Sequence, residues 1–265
     1  MSSTDAQTRT IRLAAVGDIH YGKGSAGAYQ SLFAQANANA DILLLCGDLT
    51  DYGLPEEAEV LIKDLHSAVK IPIVAVLGNH DFESGREDEL CTLFERAGIT
   101  LLDGDSCEIE GIGFAGVKGF AGGFGRGALG HWGEPAIKTF VQEALNEALK
   151  LESAMARLKT PHKIAVLHYA PVQATVEGEP PVIYPFLGCS RLEDPLNRYA
   201  ATVVFHGHAH NGTAEGRTSA GIPVYNVSRS LLEKTYPSQP AYREVVLELD
   251  GSNSSNGLES TRGPE

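Results

Sequence analysis

Residues 42–51 read Ile-Leu-Leu-Leu-Cys-Gly-Asp-Leu-Thr-Asp, five apolar positions running straight into a glycine and a carboxylate. A strand with one wet face alternates apolar and polar residues; a run that is apolar at every position suits a strand covered on both faces, as in α/β proteins. Four further runs share this character, at residues 13–16, 73–77, 164–167 and 202–205. Each of the five is followed at once by metal-ligand residue types: GDIH at 17–20, GDLTD at 47–51, GNHD at 78–81, HYA at 168–170 and HGHAH at 206–210. Open α/β sheets bind their ligands beyond the carboxyl ends of the strands, so five polar motifs at five strand ends converge on one site.

Between the runs lie segments of helical periodicity or propensity, at 26–38, 55–69 and 87–97, with Pro55 suited to a first helical turn. Strand and helix alternate, which predicts parallel βαβ units with right-handed crossovers through the first hundred or so residues. A longer helix is expected over 134–158, rich in Ala, Leu, Glu and Lys with Pro135 near its start, and late strands over 222–227 and 243–249. Residues 111–133 are glycine-rich, with only 113–118 strand-like, and a loop of that length is commonly functional. Residues 1–250 read as one domain, and the polar stretch 251–265 as a disordered tail.

The chemistry of the clusters is specific. Asp18 and His20, two positions apart, can both reach a metal where the chain leaves a strand and curls, although Asp18 taken singly also suits a loop residue or helix cap; the other clusters favour the metal. Asp48 follows a wholly apolar strand, where an uncompensated carboxylate is costly, and its two oxygens can bridge two cations. Asn79 offers an amide oxygen, while His80 and Asp81 supply a cationic donor and a carboxylate to orient it. His168, His208 and His210 complete the nitrogen donors. Asp51 is expected to cap a turn, and His66, His162 and His206 to be satisfied structural histidines. Oxygen and nitrogen ligands without thiolate suit Mn, Fe, Zn or Ni better than Mg or Ca alone. The four cysteines, Cys46, Cys91, Cys107 and Cys189, form no CxxC pair and read as small buried hydrophobes in a reducing compartment.

Formal charge is −13 over 265 residues, which opposes the basic groove that tracks a nucleic-acid backbone. Long nucleic acids are therefore not expected as partners. A phosphate ester can still bind if local cations outweigh the global field, and bound divalent metals are the strongest such cations. No apolar run approaches the roughly 18–20 residues needed to cross a bilayer, and no basic-then-apolar leader opens the chain. Neither membrane nor export is expected, and a cytoplasmic location follows.

Taken in order, DxH, GDxxD, GNHD, H and GHxH over residues 17–210 resemble the calcineurin-like metallophosphoesterase superfamily. The resemblance implies an α/β sandwich of two mixed β-sheets flanked by helices, a four-layer αββα arrangement. It implies that Asp18, His20, Asp48 and His210 hold one metal and Asp48, Asn79, His168 and His208 the other. It places His80 beside the leaving group and makes Asp81 the acid that positions it. The expected reaction is hydrolysis of small phosphodiesters or phosphomonoesters, cyclic nucleotides or nucleotide-like compounds among them, by a metal-bridging hydroxide. The two ions would be divalent or mixed-valence, with Mn and Fe favoured. Substrate choice is assigned to 111–133 and 172–191, where Arg126, His131, Trp132 and Tyr184 can clamp a phosphate or stack on a base, or else serve local packing. The competing readings are a metal-binding scaffold without turnover, a protein phosphatase, and an amide hydrolase, the last disfavoured because amide hydrolysis does not demand the cluster at 79–81.

Overall fold

The computed structural model describes residues 9–249; the tail expected at 251–265 lies outside them. The first half alternates as the apolar runs dictate: β1 (Arg9–Val16), α1 (Gln30–Asn39), β2 (Ile42–Cys46), α2 (Pro55–Ala68), β3 (Ile73–Val76), α3 (Glu87–Arg96) and β4 (Thr100–Leu101). The second half continues with β5 (Asp105–Ile109), β6 (Ile112–Val117), α4 (Pro135–Arg157), β7 (His162–Leu167), α5 (Tyr184–Leu187) and α6 (Glu193–Arg198). It closes with β8 (Val203–His206), β9 (Glu215–Arg217), β10 (Pro223–Asn226), α7 (Arg229–Thr235) and β11 (Arg243–Leu249).

Two mixed sheets result. One has the order β11-β1-β2-β3-β4, parallel except for β11, which runs antiparallel to β1. The other has the order β5-β6-β7-β8-β10-β9, parallel inside and antiparallel at both edges. The last strand thus returns to close the edge of the first sheet.

The unbroken hydrophobicity of β2 has a direct explanation in this stacking. Ile42, Leu44 and Cys46 face the second sheet, meeting Phe114, Ile164, Val166 and Phe205. Leu43 and Leu45 face the other way, into α1, α2 and α3 with Phe33, Leu61, Leu65, Leu90 and Phe94. All five β2 side chains are fully buried, and each leucine contributes about 1.5–3 kcal/mol of transfer free energy. On the far side of the second sheet Ala115, Val117, Ala165 and Leu167 pack with Leu151, Ala154 and Met155 of α4. The layers run helix, sheet, sheet, helix, as the resemblance implied.

The differences from expectation are local. The first helix begins at Gln30 rather than at 26, because Gly27 has φ +78°. Its N–H is drawn to Asp64 Oδ2 at 2.6 Å, an oxygen that also accepts from Tyr21 Oη at 2.8 Å. The edge strands β4, β5 and β9 and the short helices α5, α6 and α7 were not expected. Among the described residues no helix is long and apolar enough to cross a membrane.

Candidate dinuclear metal centre

The carboxyl ends of β1, β2 and β3 in one sheet and of β7 and β8 in the other share one rim, and the loops there are stitched backbone to backbone. Asp18 N–H donates to Gly47 O at 3.0 Å, His20 N–H to Asp48 O at 3.0 Å, and Gly207 N–H to His168 O at 3.1 Å. Among the described residues six non-glycines have positive φ, and four of them belong to this rim: Asp18 (56°), His20 (45°), Asp48 (48°) and His208 (70°). Each costs about 1–2 kcal/mol, so the packing around them fixes the side chains against backbone preference. Strain sits on the donors themselves more than on the glycines that precede them. Gly78 is required for a different reason, since a Cβ there would lie 2.2 Å from both Asp48 N and Asp48 Oδ1. At Gly47 both reasons apply: φ is +80°, and a Cβ would meet His168 Nδ1 at 2.4 Å.

Two groups of donors face each other across Asp48. Asp18, His20 and His210 form one, and Asp48, His168 and His208 the other, each with its donor atoms within 4.8 Å of one another. Asn79 joins the second group, with Oδ1 2.9 Å from His168 Nε2. The Asp48 carboxylate reaches toward both: Oδ1 is 3.3 Å from His168 Nε2, and Oδ2 is 3.8 Å from His20 Nε2. All seven residues expected as metal ligands are therefore brought together at this rim.

The rings are held in defined orientations. His168 Nδ1–H donates to Cys46 O at 3.0 Å, which leaves Nε2 for the centre. His208 Nε2–H donates to Phe186 O at 3.1 Å, which leaves Nδ1. Such outer hydrogen bonds fix the tautomer of a metal-binding imidazole. His20 has both ring nitrogens buried with no hydrogen-bond partner among the described residues. An orphaned buried polar atom costs about 1–3 kcal/mol, and a cation would satisfy it, so the donor set fits transition ions.

Electrostatics point the same way. Burial drives His20 down to about 4 and His208 down to about 3, so both are neutral near pH 7, the form a metal requires. Burial pushes the Asp18 carboxyl up, but the hydrogen bond with His210 and the charges of nearby histidines outweigh it and leave it well below the ordinary range. That hydrogen bond, 3.0 Å from His210 Nε2 to Asp18 Oδ1, raises His210.

The pair at 80–81 departs from expectation. His80 Nδ1–H donates to the backbone carbonyl of Asp51 at 2.7 Å, and no hydrogen bond joins its ring to Asp81. Asp81 is fully buried and spent on the loops: it accepts from Leu49 N at 3.1 Å, Thr50 N at 2.8 Å, Thr50 Oγ1 at 2.6 Å and Gly78 N at 2.8 Å. Asp81 therefore does not orient His80 directly; it ties the loop carrying Asp48 to the loop carrying Asn79. Three backbone N–H groups on one carboxylate leave no room for an amide donor, so Asp81→Asn is expected to cost about 2–4 kcal/mol of stability. Urea unfolding of the metal-free protein measures this, and an unchanged midpoint would contradict the bracing role.

Asp51, expected as a cap, instead sits at the edge of the centre, its Oδ1 3.6 Å from His20 Nδ1 and within a third group formed with His20 and His80. His206 is structural as expected, buried and bonded to Thr175 Oγ1 at 2.7 Å and Gly207 O at 2.8 Å. Of the four candidate substrate contacts, Tyr184 packs against the small apolar cluster of Phe124, Ala170, Val176, Leu187 and Ala209. Arg126 and His131 are exposed, Trp132 is 67% exposed, and none of the three hydrogen-bonds a donor of the centre. The orienting carbonyls of Cys46, Asp51 and Phe186 had no signal in the sequence, because every residue carries one.

Comparison with known proteins agrees with this geometry. The family model described as calcineurin-like phosphoesterase matches residues 11–212. No curated protein is found as a relative. Among solved structures, a phosphopantetheinyl hydrolase from Mycobacterium tuberculosis superposes with a TM-score of 0.64 at 15% identity, over 92% of this chain and 98% of that one. The TT1561 protein of Thermus thermophilus superposes with a TM-score of 0.53 at 14% identity, over 84% and 92%. At such identities the likeness is one of fold; with the family match covering most of its length, the chain belongs to the calcineurin-like phosphoesterase family.

Proposed function

We propose that this protein hydrolyses small phosphodiesters or phosphomonoesters with the help of two divalent or mixed-valence transition ions, Mn with Fe or a second Mn being the leading pair. The observation that carries the reading is the position of Asp48, one oxygen toward His168 and the other toward His20. Asp18, His20 and His210 would hold one ion, Asn79, His168 and His208 the other, and Asp48 both. When bound, such ions supply Lewis acidity and a water of lowered pKa.

The remaining work falls to the chain. His168 and His208 are locked by the carbonyls of Cys46 and Phe186, so neither ring rotates as charge develops. His80, with Nδ1 committed to Asp51 O, has Nε2 left to donate to the ester oxygen that departs. A small substrate agrees with the charge of −13, which repels a polyanion outside the reach of the ions.

The test is a chelator-stripped protein reloaded with Mn, Fe, Zn or Ni. It is assayed on para-nitrophenyl phosphate, bis-para-nitrophenyl phosphate, cyclic nucleotides and a phosphopantetheinyl ester, with long DNA and a phosphopeptide alongside. Metal-free protein is expected to be inactive and Mn to restore turnover of small esters. Activity confined to DNA or phosphopeptide would overturn the substrate class. A fully loaded protein inert on every ester yet tightly bound to a macromolecule would favour the scaffold.

A further inference from the structure

Lys118 follows directly on β6, at the same rim as the centre, and its carbonyl accepts from His168 N at 3.1 Å and Tyr169 N at 3.0 Å. Its ammonium is enclosed by three aromatic rings, with Nζ 5.2 Å from the Phe82 centroid, 5.1 Å from Phe120 and 5.5 Å from Tyr169. Among the described residues its one hydrogen-bond acceptor is Gly119 O, at 3.0 Å. Glu147 and Glu143 of α4 are the nearest carboxylates that act on its charge, neither within ion-pair distance; Glu147 is committed elsewhere, its Oε2 accepting from Gly119 N at 2.7 Å and its Oε1 pairing with Lys150 at 2.8 Å. Among the described residues Lys118 has no ion pair.

A half-buried ammonium with three donors and one acceptor is under-satisfied, and cation–π contacts compensate only part of its lost hydration. Its surroundings say where the missing anion belongs. Phe82 stands two residues after His80, and Tyr169 follows His168 and lies 4.4 Å, centroid to centroid, from His208. The enclosure is therefore flanked on one side by Tyr169, whose ring lies against His208, and on the other by Phe82, which is 38% exposed and two residues from His80.

We infer that Lys118 anchors a second anionic group on the leaving portion of the substrate, a carboxylate or a further phosphate, seated against Phe82, Phe120 and Tyr169. This rests on the phosphoesterase reading. It narrows the substrate class to esters whose leaving alcohol itself carries negative charge, and it makes Lys118 a specificity residue outside the metal ligands.

The experiment compares para-carboxyphenyl phosphate with its neutral carboxamide on Mn-loaded protein, and measures by titration the binding of the two leaving products, para-hydroxybenzoate and para-hydroxybenzamide. The parent is expected to favour the carboxylate by roughly 10-fold or more in KM and in product affinity, the scale of a charge-assisted hydrogen bond. Lys118→Met should bring both ratios close to one, and Lys118→Arg should keep them. No preference in the parent, or a preference that survives Lys118→Met, overturns the inference while the hydrolysis of both esters leaves the phosphoesterase reading standing. Hydrolysis of neither ester removes that reading and this inference with it.

Discussion

Replacing Asp48 with alanine is expected to lower hydrolysis of para-nitrophenyl phosphate by at least about 10³-fold and to empty both metal positions together. The carboxylate lies between the two donor groups, so its loss takes one oxygen from each. Stability should move the other way. Burial, and the adjacent Asp18 charge, raise the Asp48 carboxyl above its ordinary value even though His168 opposes them. A carboxyl whose folded pKa is raised ionises less readily in the native chain than in the unfolded one, so at neutral pH it subtracts from stability. Metal-free Asp48→Ala is accordingly expected to unfold at or above the temperature of the metal-free parent. Elemental analysis, initial rates and a thermal scan report the three quantities. One ion retained at full occupancy, with partial activity, would show that Asp48 is not shared.

Such opposition between function and stability also explains which features could be read from residues alone. β2 was legible because two dry faces demand an apolar side chain at every position, and Ile42–Cys46 satisfies that without exception. The donors were legible because polar groups at the end of so apolar a strand need a reason to be there. Edge strands carry no such mark: β5 reads Asp-Ser-Cys-Glu-Ile, and β9 is three residues long. The positive φ of Asp18, His20, Asp48 and His208 left no trace either, since the strain is imposed by the loops packed around them. The same holds for His80 and Asp81. Adjacency in sequence suggested a partnership, but the 3-10 turn at His80–Phe82 sends one side chain to the Asp51 carbonyl and the other into the buried backbone of residues 49, 50 and 78. Lys118 was visible only as the end of a strand. What singles it out is an ammonium enclosed by three aromatic rings with no direct ion pair among the described residues, a property of three-dimensional neighbours.

His80→Ala separates holding the ions from moving the proton. The backbone N–H of residue 80, which donates to Asp48 Oδ1 at 2.8 Å, survives the substitution, so the bridge stays oriented and both ions should remain bound. What is lost is the ring. Burial tends to lower its pKa, but the hydrogen bond to the Asp51 carbonyl and the charges of Asp48 and Asp51 prevail and hold it above the ordinary histidine value, as suits a donor at neutral pH. Turnover is expected to fall about 10²-fold, in kcat more than in KM. The loss should grow with the basicity of the departing oxygen: small for a para-nitrophenyl ester, whose leaving group needs little protonation, and large for an alkyl ester. Rates on a series of aryl and alkyl phosphates, with ion content measured on the same samples, decide the matter. A uniform loss across the series would remove His80 from proton donation, and ion loss equal to that of Asp48→Ala would make it one more support of the metal centre.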